Sequence, residues 1–192
     1  LINKIESYPF DKLRRLLSSV NPNKKNNELI NLSIGEPKKR ASKKVLSILA
    51  SNKELFSQYP PLGSMNILVS AYKSYLSKRF NIKEVANDNI LNLGGTREGT
   101  FSVIQSLFNK KIKSKKPYVL MPNPFYQIYG GATLLAGGIS KQINLNEDNG
   151  FSLDLNSINE NIWKKCQIFV ACSPSNPTGS VLKEDEIRKI IK

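Results

Sequence analysis

Three short stretches hold the residues best able to do chemistry: "GGTREG" (94–99), "PNPFYQIY" (122–129) and "SPSNPTG" (173–179). In the first, two glycines stand directly before a helix start. Glycine lets the backbone approach an anion closely, and the free N–H groups of a first helical turn then point at it. Thr96 adds a hydroxyl and Arg97 a positive charge, a set that suits a phosphate. The pattern is neither a P-loop nor GxGxxG, and a tight turn with a threonine cap accounts for it equally well. The second stretch crowds Phe125, Tyr126 and Tyr129 together. Such rings can stack on a planar ligand or simply pack the following helix. The third holds Asn176 between two prolines. A rigid amide can donate a hydrogen bond to a ligand oxygen, or close an Asx-type turn. Together they offer a phosphate cradle, a stacking ring and a fixed amide, which fits a flat, phosphorylated heteroaromatic cofactor.

The elements around these stretches put them on one edge. From about residue 90, strand-like runs alternate with helix-like runs: "NILNL" before "GGTREGTFSVIQSLF", "PYVLM" before "PNPFYQIYGGATLLAG", and "QIFVAC" before "LKEDEIRKIIK". "SKQINL" is a further candidate strand. Alternation of this kind predicts an α/β domain with a mainly parallel sheet flanked by helices. Ligands of such sheets collect beyond the carboxyl ends of the strands, and the loops after Leu93, Met121 and Cys172 all lie there. Upstream, Phe10, Leu13, Leu16, Leu17 and Val20 recur at helical spacing, as do Met65, Leu68, Tyr72, Leu76 and Phe80. The second face is read as core packing. A helix is expected over about 42–50, and Ser64 is the expected N-cap of the run at 65–80.

Composition narrows the chemistry. Histidine is absent, which excludes Ser-His-Asp and Cys-His catalysis and histidine-ligated metals. Cys166 and Cys172 are too few and wrongly spaced for a zinc cluster, and reduced thiols are the simpler reading. No metal site is expected. The net charge is +14, but the basic residues are scattered. Only "KKIKSKK" (110–116) is dense, so a lysine-rich surface is preferred to a nucleic-acid interface. No run of about 18 apolar residues is present, so no membrane span is expected. A cytoplasmic location is expected. The chain starts at Leu1 and ends at Lys192 inside an amphipathic pattern, and is read as a piece of a longer protein.

"CSPSNPTG" (172–179) resembles the Asn-Pro-x-Gly signature of the class I/II, fold-type I aminotransferases, which use pyridoxal 5′-phosphate. "LSIGEPK" (32–38), "QYPPLGS" (58–64), "LNLGGTREGTF" (91–101) and "VLMPNPFYQIYGGATLLAGG" (119–138) fall in that family's order. Within it, "LMPNPFYQIYGGATLLAG", "LSIGEPK" and "YPFDKLRRLL" resemble the succinyldiaminopimelate transaminases of bacterial lysine synthesis. The resemblance implies that Gly95, Thr96 and Arg97 bind the cofactor phosphate, Tyr126 stacks on the pyridine ring, and Asn176 bonds the ring's 3′ oxygen. Gly35 then contacts the substrate carboxylate through its backbone. Tyr59 reaches the phosphate of the neighbouring subunit in a homodimer. The implied partners are small amino and keto acids, glutamate and N-succinyl-2-amino-6-ketopimelate among them. The implied fold is an incomplete large domain (41–192) preceded by an N-terminal arm and small-domain segment (1–40). The family's Schiff-base lysine, pyridine-facing aspartate and carboxylate-gripping arginine are expected beyond Lys192, so no catalytic residue is assigned here. Other readings are a different substrate range, a fold-type I β-lyase, or an aminotransferase-like sensing domain of a transcriptional regulator. Gly99 stands where many relatives carry alanine, which costs about 1 kcal/mol of helix propensity.

Overall fold

The computed structural model describes residues 8–21, 30, 32–59, 66–109 and 116–192. They form two compact units, one comprising Leu93–Lys192 and the other the described residues up to Asn92. In the first, the unbroken apolar run Tyr118–Met121 has the pattern of a strand buried on both faces. It becomes β1 (Tyr118–Asn123), the centre of a sheet ordered β2-β1-β3, with β2 at Ile139–Asn144 and β3 at Cys166–Phe169. Both neighbours pair parallel, Tyr118 opposite Ile139 and Val119 opposite Ile168. Val119, Leu120 and Met121 are 0, 1 and 0 % exposed. Successive side chains point to opposite faces. Val119 and Met121 therefore meet Ile104 of α4 (Thr96–Leu107), Phe108 just after it, and Tyr129, Ala132 and Ala136 of α5 (Ile128–Ala136). Leu120 meets Ile143 and Ile158, beside Ile162 and Trp163 of α6 (Glu160–Trp163). Fully burying side chains of this size stabilises by roughly 1.5–3 kcal/mol each.

Gly137 ends α5 in the left-handed region, φ 87°, and the chain turns at once into β2. A Cβ on Gly138 would stand 2.6 Å from the Phe108 ring, so helix and sheet close without spare room. α4 and α5 run parallel. Gln105 Nε2 donates to the Ala132 carbonyl at 2.7 Å, and Phe108, further along, reaches Gly138. Both helices therefore begin at the same edge, where β1 ends.

The parallel, helix-flanked sheet agrees with expectation, but the strand expected at 89–93 does not form. A 3₁₀ turn occupies Asn87–Asn89, and 90–93 runs extended without a ladder. Its alternating pattern is satisfied, yet a strand also needs a neighbour for its N–H and C=O groups, and none lies alongside among the described residues. In the other unit, α1 (Pro9–Leu17), α2 (Lys43–Ser51) and α3 (Asn66–Phe80) form where periodicity puts them. Their apolar faces are not core, however. Leu13, Leu16, Leu17, Leu68, Tyr72 and Phe80 are exposed, and Val69 alone among the described residues of these helices is buried. Periodicity marks the face that favours cover without supplying the cover. Ser64, Met65 and most of the lysine block at 110–116 lie outside the described residues.

Candidate functional site

Beyond β1 the chain carries Phe125 and Tyr126 into α5. Tyr129 follows at i+4 and i+3, on the same side of the helix start. Phe125 stacks on Tyr129 at 6.5 Å between centroids, and Tyr126 meets it edge-on at 5.8 Å and 90°. Tyr129 is buried at the core, while Tyr126 stays half-buried, with part of its ring open.

Beyond β3 the chain folds into a closed loop. The Ser175 N–H donates to the Ser180 carbonyl (2.8 Å) and the Gly179 N–H to the Ser175 carbonyl (2.7 Å). The Leu182 N–H donates to Ser173 Oγ at 3.0 Å. Gly179 sits at φ +76°, where a side chain would be strained. The Asn123–Pro124, Ser173–Pro174 and Asn176–Pro177 peptides are cis. Asn176 lies inside this closed loop, exposed, and its side-chain amide has no hydrogen-bond partner among the described residues. Glu186 Oε2 accepts from the Lys183 N–H at 2.7 Å and fixes the start of α7 (Glu184–Ile191) directly after the loop.

The two loops lie side by side. Within the second, the Cys172 S–H faces the Pro174 carbonyl at 3.3 Å. Burial first, and then the neighbouring Cys172 thiol, push the Tyr129 hydroxyl from 10.0 up to about 12. Next door, Ser175 Oγ is buried without a partner among the described residues. With Ser152, Cys172, Ser180 and Glu186 it lines a cavity of about 10 Å³, near the size that holds one water molecule.

The third stretch starts α4. Gly95 is its N-cap, in extended backbone, and no side chain caps the helix. Thr96 is the first helical residue, so the expected threonine cap is not made. A Cβ at Gly95 would meet nothing within 4 Å, so the approach to the first-turn N–H groups is open there. At Gly94 it would meet Glu98 Oε2 at 2.9 Å, so that side is occupied. A Cβ at Gly99 would meet the end of the Leu93 side chain, which is exposed and free to turn aside. Thr96 and Arg97 are both exposed. Parallel packing of α4 on α5 puts this helix start on the same edge as Tyr126 and Asn176. Gly35 and Tyr59 belong to the other unit. There Gly35 is open on its Cβ side and Tyr59 is 97 % exposed.

A flat phosphorylated ring fits this edge. It offers a partly open aromatic ring, an exposed unpartnered amide and an uncovered glycine at the start of a 12-residue helix. The model of the family "Aminotransferase class I and II" matches residues 27–192. The chain belongs to this family. The LL-diaminopimelate aminotransferase of Natranaerobius thermophilus is 28% identical over 195 residues, covering 100% of this chain and 48% of its own length. The crystal structure of an aminotransferase from Neisseria meningitidis superposes with a TM-score of 0.87 at 34% identity, covering 99% of this chain and 48% of that one. Cystalysin from Treponema denticola, whose structure contains pyridoxal 5′-phosphate, superposes with a TM-score of 0.70 at 22% identity, covering 99% and 46%. The chain spans about half the length of the curated relatives it matches. Pyridoxal 5′-phosphate is the cofactor of this aminotransferase family.

Within this aminotransferase chain, sequence patterns assigned no role to the Tyr129 hydroxyl, Cys172 or Ser175. The i+3 and i+4 spacing of the rings was a usable signal for Tyr129. The nearness of Tyr129 to Cys172 and the burial of Ser175 depend on tertiary packing, and no local pattern encodes them.

Proposed function

We propose that this chain is the N-terminal portion of a pyridoxal-phosphate-dependent transaminase of diaminopimelate and lysine biosynthesis. It would move an amino group from glutamate to N-succinyl-2-amino-6-ketopimelate. The observation that carries the cofactor reading is that Tyr126 and Asn176 lie in loops following the parallel, neighbouring strands β1 and β3, at one sheet edge. The bound cofactor supplies an electron sink for the reacting amino-acid carbon. The protein's part is positioning. Asn176 donates its amide N–H to the 3′ oxygen, Tyr126 covers one ring face, and Gly95, Thr96 and Arg97 receive the phosphate at the α4 start. Gly35 holds the substrate carboxylate through its backbone. The exposed Tyr59 reaches the phosphate site of a second subunit in a cytoplasmic homodimer. Residues 1–40 form an arm and small-domain segment, and 41–192 an incomplete large domain. The Schiff-base lysine lies beyond Lys192, so these 192 residues alone do not turn over.

The names of the relatives favour a second substrate reading, in which LL-diaminopimelate itself is the amino donor. Steady-state assays of the full-length protein with LL-diaminopimelate and with the succinylated keto acid separate the two. For the cofactor reading, Asn176→Ala in the full-length protein is expected to shift the cofactor absorption maximum and weaken its binding. A variant with wild-type spectrum and affinity removes Asn176 from this role.

A further inference from the structure

We propose that the small cavity under the Asn176 loop is a site for one ordered water molecule, and that Ser175 positions Asn176 through it. The positioning role rests on the cofactor reading above; the water site does not. Ser175 is nine-tenths buried and lines the cavity, and its Oγ has no partner among the described residues. A buried hydroxyl left unpaired is costly. The volume, about 10 Å³, is near what one water needs and admits nothing larger. Further polar groups share the wall. Glu186 commits Oε2 to the Lys183 N–H at 2.7 Å, and its other carboxylate oxygen has no partner among the described residues. Ser152 brings a hydroxyl from the connection between β2 and α6. The chain reaches that wall through Phe151, whose φ of 57° is uncommon for a bulky residue and whose N–H donates to the Asn146 carbonyl at 2.8 Å. The polarities match a water. The Ser175 O–H donates to it, and it donates onward to the Glu186 carboxylate and Ser152 Oγ, about three bonds in all, as buried waters ordinarily make.

Ser175 directly precedes Asn176. Its backbone is already committed within the loop, the N–H to the Ser180 carbonyl at 2.8 Å and the carbonyl to the Gly179 N–H at 2.7 Å. Those bonds shape the loop internally. The water adds anchors outside it, on the first turn of α7 through Glu186 and on the connection after β2 through Ser152. A bridging water holds two groups nearly as well as a direct bond. A loop fixed beforehand has less to order when a ligand binds, so the water steadies the backbone that presents the Asn176 amide.

The test uses the full-length protein, read by high-resolution crystallography and by cofactor affinity, absorption spectrum and thermal midpoint. The crystal structure is expected to show one water within about 3 Å of Ser175 Oγ and of a Glu186 carboxylate oxygen. A dry cavity overturns the proposal, as does a metal cation there or a group from elsewhere in the chain bonded to Ser175 Oγ. Ser175→Ala removes the hydroxyl and keeps both backbone bonds. Glu186→Gln keeps an oxygen for the Lys183 N–H and removes the carboxylate charge. Each is expected to weaken cofactor binding about fivefold, the equivalent of one ordinary hydrogen bond. Ser175→Ala should also shift the absorption maximum in the direction that Asn176→Ala does. The double variant should be little weaker than either single, because both act through the same water. Additive losses overturn the link. So does a fall in thermal midpoint with affinity and spectrum unchanged, which marks a purely structural water. If Asn176→Ala moves the spectrum while Ser175→Ala does not, this inference fails and the cofactor reading stands. If the wild-type protein binds no pyridoxal 5′-phosphate, the cofactor reading fails and the positioning role with it.

Discussion

At the scale of single residues, the proposed cofactor contacts were legible in local patterns. Glycines before a helix, crowded rings after a strand and an asparagine between prolines each mark a place where backbone or side chain has an uncommon task. Such patterns cannot show which residues hold the functional ones still. Tyr129 is the clearest case: its core burial, beside Cys172 of a loop 43 positions further on, depends on tertiary packing. Its titration carries a prediction. In the folded protein Tyr129 keeps its proton to about pH 12, while the unfolded chain releases it near 10.0. The neutral hydroxyl's contribution to stability is therefore complete below about pH 10 and is lost as pH rises through about 12. Chemical denaturation of the full-length protein from pH 9 upward should show this decline, and Tyr129→Phe should flatten it. Equal slopes in the two proteins count against the burial of this hydroxyl.

At the scale of elements, local patterns place α2, α4 and β2 to within two residues, but run α5 from 122 where the helix begins only at Ile128, because the prolines and rings after β1 first make a turn. The strand expected at 89–93 shows the limit, since pairing is a property of two segments and only one was in view. The joint between α5 and β2 is the most tightly specified of these contacts. Gly138→Ala would drive a methyl group against Phe108, which is itself buried, and against Thr133 Cγ2 at 3.2 Å. Overpacking of a closed core costs roughly 1–3 kcal/mol, so the variant should lose about that much stability in denaturant titrations of the full-length protein. A loss within error of zero would mean that Phe108 can move aside.

At the scale of the whole molecule, the apolar faces of α1 to α3 and the outer edge of β3, unpaired among the described residues, leave much of what folding would bury in contact with water. The 192-residue chain produced alone should therefore bind hydrophobic dyes strongly and sediment as mixed oligomers. A monodisperse, dye-silent monomer with a cooperative melt would contradict this. The sheet order β2-β1-β3 also sets a timetable. β1 is synthesised first yet belongs in the middle, and its partners emerge later, beginning at Ile139 and Cys166. At a ribosomal pace of about 5–20 residues per second, the most water-averse strand waits a few seconds for its second neighbour. Until α5 emerges, α4 is the element of its unit, among the described residues, already made to cover one face of β1, so the early helix acts as the nascent strand's first escort.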